Sequence, residues 1–140
     1  MAYYPITPVP APRQVRSDAW SPRPGVVRYR AFRDECRLRN LKVPESGASL
    51  VFLLPMPKSW SKKKKARMCW QPHQQKPDVD NLEKALLDSV YGEDCGVWHI
   101  GMAAKLWAPT GGIVVVSDNA SEQSAKESVQ QILRVDNLIG

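Results

Sequence analysis

Three carboxylates near the middle of this 140-residue chain are spaced in a way that packing does not require. Asp78 and Asp80 stand one residue apart in Lys76-Pro77-Asp78-Val79-Asp80-Asn81-Leu82-Glu83-Lys84-Ala85-Leu86-Leu87-Asp88, and Asp94 follows in Tyr91-Gly92-Glu93-Asp94-Cys95-Gly96. Oxygen donors of this kind suit a hard divalent cation, Mg²⁺ or Mn²⁺, far better than a soft one. Lys84, about one helical turn beyond the aspartates, is placed to contact a phosphate or to stabilise developing negative charge. A surface ion pair between Lys84 and Asp88, four residues on, is the competing structural role.

These groups act together only if the local chain brings them together. Pro77 biases Lys76 toward extended geometry. On an extended segment Asp78 and Asp80 share one side and Val79 takes the other, whereas in a helix the two aspartates diverge by about 200°. The spacing therefore predicts a strand or loop through both aspartates. Asp80 or Asn81 then caps a helix whose buried side is marked by Leu82, Ala85, Leu86 and Val90, with Asp80-x-x-Glu83 as a capping box. A turn at Gly92 returns Asp94 toward the pair.

The surrounding chain is strongly polarised. Residues 1–76 carry a net charge of +12 and residues 77–140 a net charge of −6. Cations for phosphates beside anions for a metal are what a metal-dependent enzyme acting on a polyanion needs. In Lys58-Ser59-Trp60-Ser61-Lys62-Lys63-Lys64-Lys65-Ala66-Arg67-Met68-Cys69-Trp70, four consecutive lysines lie between two tryptophans, combining phosphate neutralisation with rings that stack on bases or pack beneath a loop. Lys58, Lys62, Lys63, Lys64, Lys65, Arg67, Lys76 and Lys105 are the candidate nucleic-acid contacts.

Residues 1–25 hold six of the twelve prolines together with Arg13, Arg16 and Arg23, and read as an extended or irregular basic arm. Residues 26–41 read as a basic amphipathic helix with Val27, Ala31, Cys36 and Leu38 on its apolar side. Ser49 to Pro55 reads as a buried strand. Trp98, Ile100, Met102, Ala104 and Leu106 alternate along a second strand, with His99, Ala103 and Lys105 opposite. Pro109-Thr110-Gly111-Gly112 turns it into a hairpin with Ile113 to Val116. Ser121 to Val135 reads as a C-terminal amphipathic helix, packed on the sheet or on a second subunit.

No apolar run is long enough to span a membrane, the N-terminus is unlike a secretory signal, and three cysteines without framework spacing fit reduced thiols, so a cytoplasmic protein is expected. Cys69-x-x-x-His73 and Cys95-x-x-x-His99 together offer a tetrahedral zinc set as a rival metal site, though without the tighter knuckles zinc modules use.

The run from Lys76 to Asp88, then Glu93-Asp94 followed by Val97, then Lys105 before Gly111-Gly112-Ile113, resembles the RusA family of Holliday junction resolvases. Pro57-Lys58-Ser59-Trp60 is similar to a phage-type member. The resemblance covers about residues 50 to 117. It implies an α+β fold, a small mixed β-sheet with helices packed on it, and a homodimer; a single domain over residues 26–140 is expected beyond the basic arm at 1–25, with the arm and the C-terminal helix outside the resemblance. It also implies Mg²⁺ held by Asp78, Asp80 and Asp94, with Mn²⁺ as a substitute, and a catalytic role for Lys84. The implied partner is branched DNA, a four-way junction cut by paired hydrolysis in a bacterial or phage-infected cell, in recombination or in debranching before packaging. Glu93 stands where the family has an aspartate, and only Lys76 remains of the basic residues that some members place before Asp78. A non-catalytic junction-binding protein using the same basic surface is the alternative function.

Overall fold

Segment 46–55, Ser-Gly-Ala-Ser-Leu-Val-Phe-Leu-Leu-Pro, is the most apolar stretch of the chain, and the sheet is built around it. The computed structural model describes residues 2–13, 15–91 and 96–117; Glu93, Asp94, Cys95 and the C-terminal helix expected from Ser121 to Val135 lie outside them. Four strands, β1 (Ala2–Tyr4), β2 (Ser46–Pro55), β3 (His99–Ala108) and β4 (Gly112–Ser117), form one mixed sheet in the order β1-β4-β2-β3. Three helices, α1 (Pro24–Leu38), α2 (Lys62–Met68) and α3 (Val79–Tyr91), complete the described α+β domain. No helix among the described residues is long and apolar enough to cross a membrane.

The expected hairpin does not form. β4 runs antiparallel to β2, β3 runs parallel to β2, and β2 lies between them. Placing β2 at the centre gives its backbone groups partners on both sides and buries its side chains, which suits its near-continuous apolar run better than an edge would. Parallel strands need a long crossover, and residues 56–98, containing α2 and α3, supply it.

Two glycine-associated irregularities explain a second departure. The pairing register shifts between Ser46 and Ala48, where Gly47 has φ of 77°, a conformation costly for other residues. It shifts again where Ala48 pairs Ile100 but Ser49 pairs Met102, which leaves Gly101 as an extra residue in β3. The alternation of β3 is thereby reset. Ile100 packs against the core, while Met102 is about half exposed. Ala103, Lys105 and Trp107 pair with Leu50, Phe52 and Leu54 and so emerge on the helix-bearing face.

On that face Ala48, Leu50, Phe52, Leu54, Ile113 and Val115 pack against Tyr29, Phe32 and Cys36 of α1 and Leu82, Ala85 and Leu86 of α3. Full burial of each large apolar side chain contributes roughly 1.5–3 kcal/mol. The buried side of α1 is Val26, Tyr29, Phe32 and Cys36; of the expected row Cys36 is in the core, while Val27 and Leu38 are largely exposed. Aromatic residues at Tyr29 and Phe32 outweigh the smaller apolar groups in choosing the face. Pro24 opens α1 at its first turn, and Asn40, at φ of 56°, closes it. Leu41 N–H donates to Cys36 O at 2.9 Å and Asn40 N–H to Arg37 O at 3.1 Å, a Schellman closure with Leu41 buried beside it.

The N-terminal arm is fastened to this framework. β1 pairs antiparallel with β4, and Ile6 enters the core. A Cβ on Gly111 would lie 2.8 Å from the Thr7 Cα, so the arm's close passage requires glycine there. Asp18 is buried, accepting from Val15 N–H at 2.8 Å and forming an ion pair with Arg23 at 3.0 Å. Arg30 of α1 donates to the Asp18 carbonyl at 3.1 Å. Hydrogen bonds from Arg23, then from Val15, hold the Asp18 carboxyl at about 2. The stabilisation from this depressed pKa is present above the ordinary value of 3.8 and is lost as pH falls toward about 2. Asp18→Asn is expected to lower the thermal midpoint near neutral pH and leave a shallower decline on acidification; melts across that range compare the two proteins.

Candidate metal and nucleic-acid site

β3 is an edge strand, and part of its outer edge is occupied by the chain that leads to the aspartates. Trp70 N–H donates to Trp107 O at 2.8 Å, Trp107 N–H to Gln71 O at 3.0 Å, and His73 N–H to Lys105 O at 3.0 Å. Pro72 and Leu106 form an antiparallel bridge within this run. Trp70 reverses the chain after α2 at φ of 65°, a left-handed conformation costing on the order of 1–3 kcal/mol, against which its hydrogen bond acts.

The helical lysine run is held to the same strand through rings. Ser61 caps α2 by accepting from Lys64 N–H at 3.2 Å. Trp60 packs on Trp107 with centroids 4.7 Å apart, and Lys64 Nζ lies 4.3 Å above the Trp60 ring. His73 packs on Trp107 too, at 4.1 Å. Trp60 is therefore engaged within the fold, while Trp70 is exposed. Lys58, Lys62, Lys63, Arg67 and Lys76 are exposed; Lys64 and Lys65 are half-buried. Lys105 is half-buried as well, and its ammonium donates to the carbonyls of Gln75 and, at 2.8 Å, Pro77.

The expected extended stretch through Asp80 gives way to a helix that begins at Val79. Asp78 holds the N-cap position, its carbonyl accepting from Leu82 N–H at 3.1 Å. Pro77 restricts the residue before it and leaves Asp78 free to begin a helix, so the N-cap position expected of Asp80 or Asn81 falls to Asp78. The Asp80-x-x-Glu83 capping box is accordingly displaced. Asp80 lies in the first turn, where its Oδ1 accepts from Asn81 N–H at 2.9 Å. Both aspartates are exposed at the positive end of the helix dipole.

Lys84 forms the anticipated pair with Asp88 at 3.2 Å, an exposed i,i+4 contact worth about 0–1 kcal/mol. The buried side of α3 is Leu82, Ala85, Leu86, Leu87 and Ser89. Glu83 is half-buried, and burial, then the charge of Asp80, raise its carboxyl pKa. Glu83 had no role beyond the capping box in the sequence pattern; its proximity to Asp80 one turn earlier was the available signal.

Asp78 and Asp80 occupy one helix terminus, while Asp94 is outside the described residues. Among those residues no group of three or more His, Cys, Asp or Glu is arranged to hold a metal ion. Of the zinc alternative, His73 stacks on Trp107, the His99 Nδ1 lies 3.3 Å from Ser46 Oγ, and Cys95 is again outside the described residues.

Burial, then the Lys105 charge, lower the His73 pKa, and its Nδ1 has no hydrogen-bond partner among the described residues. Protonation therefore opposes folding, and stability present above the ordinary value of 6.5 is lost as pH falls through the lowered one. His73→Phe, which keeps a ring against Trp107, is expected to flatten that part of the stability–pH curve; denaturant titrations at a series of pH values measure it.

No curated protein and no solved structure matches the chain. The family model described as Endodeoxyribonuclease RusA matches residues 5–117, reaching further toward the N-terminus than the resemblance in the motifs and including most of the proline-rich arm. With most of its length covered by that match, the chain belongs to the RusA endodeoxyribonuclease family.

Proposed function

We propose that this nuclease resolves four-way DNA junctions by divalent-metal-dependent phosphodiester hydrolysis, acting as a homodimer. The carrying observation is the common attachment to β3: Trp107 holds the basic helix α2 through Trp60, while Lys105 holds the loop entering α3, where Asp78 and Asp80 stand. Cationic and anionic surfaces are thereby fastened to neighbouring residues of one strand.

The donor set fits Mg²⁺ or Mn²⁺. Asp78 and Asp80 offer hard carboxylate oxygens, and Glu83, whose carboxyl pKa is raised by burial and then by the charge of Asp80, stands one turn beyond them. Asp94 is the proposed third ligand. When bound, the metal supplies Lewis acidity toward the phosphate and acidifies water. Exposed Lys62, Lys63 and Arg67 of α2, with Lys58 and Lys76, neutralise DNA phosphates, and Lys84 supports charge at the scissile group. Two symmetric cuts need two sites, and a two-fold dimer supplies them.

A non-catalytic junction binder would also use the basic surface, but carboxylates beside DNA oppose binding unless a cation neutralises them. The test is incubation of a synthetic four-way junction and a linear duplex with Mg²⁺ or with EDTA. Paired, junction-selective cuts lost in EDTA are expected; retardation without cleavage would support the binder, and equal cutting of the duplex a general nuclease. Asp78→Asn is expected to slow cleavage by roughly 100-fold or more while retaining junction affinity, read from single-turnover rates and gel retardation. Unchanged cleavage in that variant would remove Asp78 from the site.

A further inference from the structure

Lys105 is among the basic residues expected at the nucleic-acid surface, yet its surroundings give its ammonium other work. Its ladder partner is Phe52, so its side chain rises on the helix-bearing face of the sheet. There it donates to the carbonyls of Gln75 and Pro77, and the latter belongs to the residue immediately before Asp78. Lys105 also accepts at its main-chain carbonyl from His73 N–H. One residue of β3 thus holds the entry loop at three points.

The loop's composition explains why an external donor matters. Pro72 and Pro77 have no N–H, so this segment cannot extend a full ladder along β3, and its carbonyls need partners from elsewhere. A lysine ammonium has three donors. Two are directed at loop carbonyls, which leaves little capacity for the phosphate role. A half-buried cation satisfied in this way also favours one loop position over others, since each charge-assisted hydrogen bond is stronger than a neutral one.

We infer that Lys105 is a positioning residue, whose ammonium fixes the carbonyls of Gln75 and Pro77 and thereby sets the carboxylates of Asp78 and Asp80 relative to β3 and the basic helix. The inference rests on the proposed metal-holding role of those aspartates. Removing the ammonium loosens the loop and spreads the carboxylates over more positions, so the loss appears in metal affinity. Junction affinity without metal is left nearly unchanged. A phosphate contact would show the reverse pattern, with weaker junction binding and a shallower salt dependence.

The test compares wild type, Lys105→Met and Lys105→Arg as full chains. Mn²⁺ affinity is measured without DNA by paramagnetic resonance, junction affinity in EDTA across a salt series, and amide hydrogen exchange over residues 74–82. For Lys105→Met the expected result is roughly 10–100-fold weaker Mn²⁺ binding, as for other residues that orient metal ligands, with faster exchange in that segment and junction affinity within about twofold of wild type. Lys105→Arg, which keeps donors and charge, is expected to recover most of the Mn²⁺ affinity. Should the methionine variant fail to fold, Lys105→Gln carries the same comparison. If wild type binds Mn²⁺ and the variant matches it, or if the loss lies in junction affinity and salt slope, the positioning role is overturned while the site stands. If wild type binds no Mn²⁺, the site assignment itself fails and the inference falls with it.

Discussion

The outer edge of β3 is the constraint on which the candidate site depends. An edge strand presents unpaired backbone groups, and here residues 70–73 meet those of Lys105 to Trp107 through main-chain hydrogen bonds and the Pro72–Leu106 bridge. Covering the edge also delivers the chain to the start of α3. Without that attachment the aspartates would hang from a proline-containing loop with few internal hydrogen bonds of its own. With it, their backbone is referred to the central sheet through one strand.

The same three residues of β3 reconcile opposite charges. Trp107 gathers Trp60 and His73, and Lys64 stands over Trp60, so the lysine helix is held by ring contacts that leave Lys62, Lys63 and Arg67 exposed. Lys105 holds the acidic side through carbonyls. The N-terminus of α3 offers the aspartates a favourable dipole, while one turn on burial, and then the charge of Asp80, raise the Glu83 carboxyl pKa. Side chains whose packing is internal therefore hold the charged groups that face outward.

The arm at the N-terminus illustrates how far one buried aspartate can reorganise an unpromising stretch. Its prolines point to irregular chain, and its arginines to a solvated or DNA-facing tail. Instead the buried Asp18 pairs with a half-exposed Arg23 and offers its own carbonyl to Arg30, while β1 supplies a strand to the sheet and Ile6 a core residue. A single acid among arginines was the visible sign. What it would bind depended on which turn the prolines allowed.

The sequence by itself determined the existence of the main elements, the central apolar strand, the basic helix, the acidic segment and the family to which they belong. These are legible because hydrophobic period, proline, glycine and charge act over a few residues. Tertiary structure alone decided that β2 separates β3 from β4, because backbone pairing over a long crossover leaves no local mark. It also decided that Gly101 resets the strand's alternation, since a bulge shows only against a partner register. α3 starts at Val79 because Pro77 limits the residue before it and not the one after, which puts Asp78 at the N-cap position. The turn of Lys105 toward the Gln75 and Pro77 carbonyls followed from the same folding, for a lysine's acceptor is chosen by the carbonyls that the fold brings within its reach.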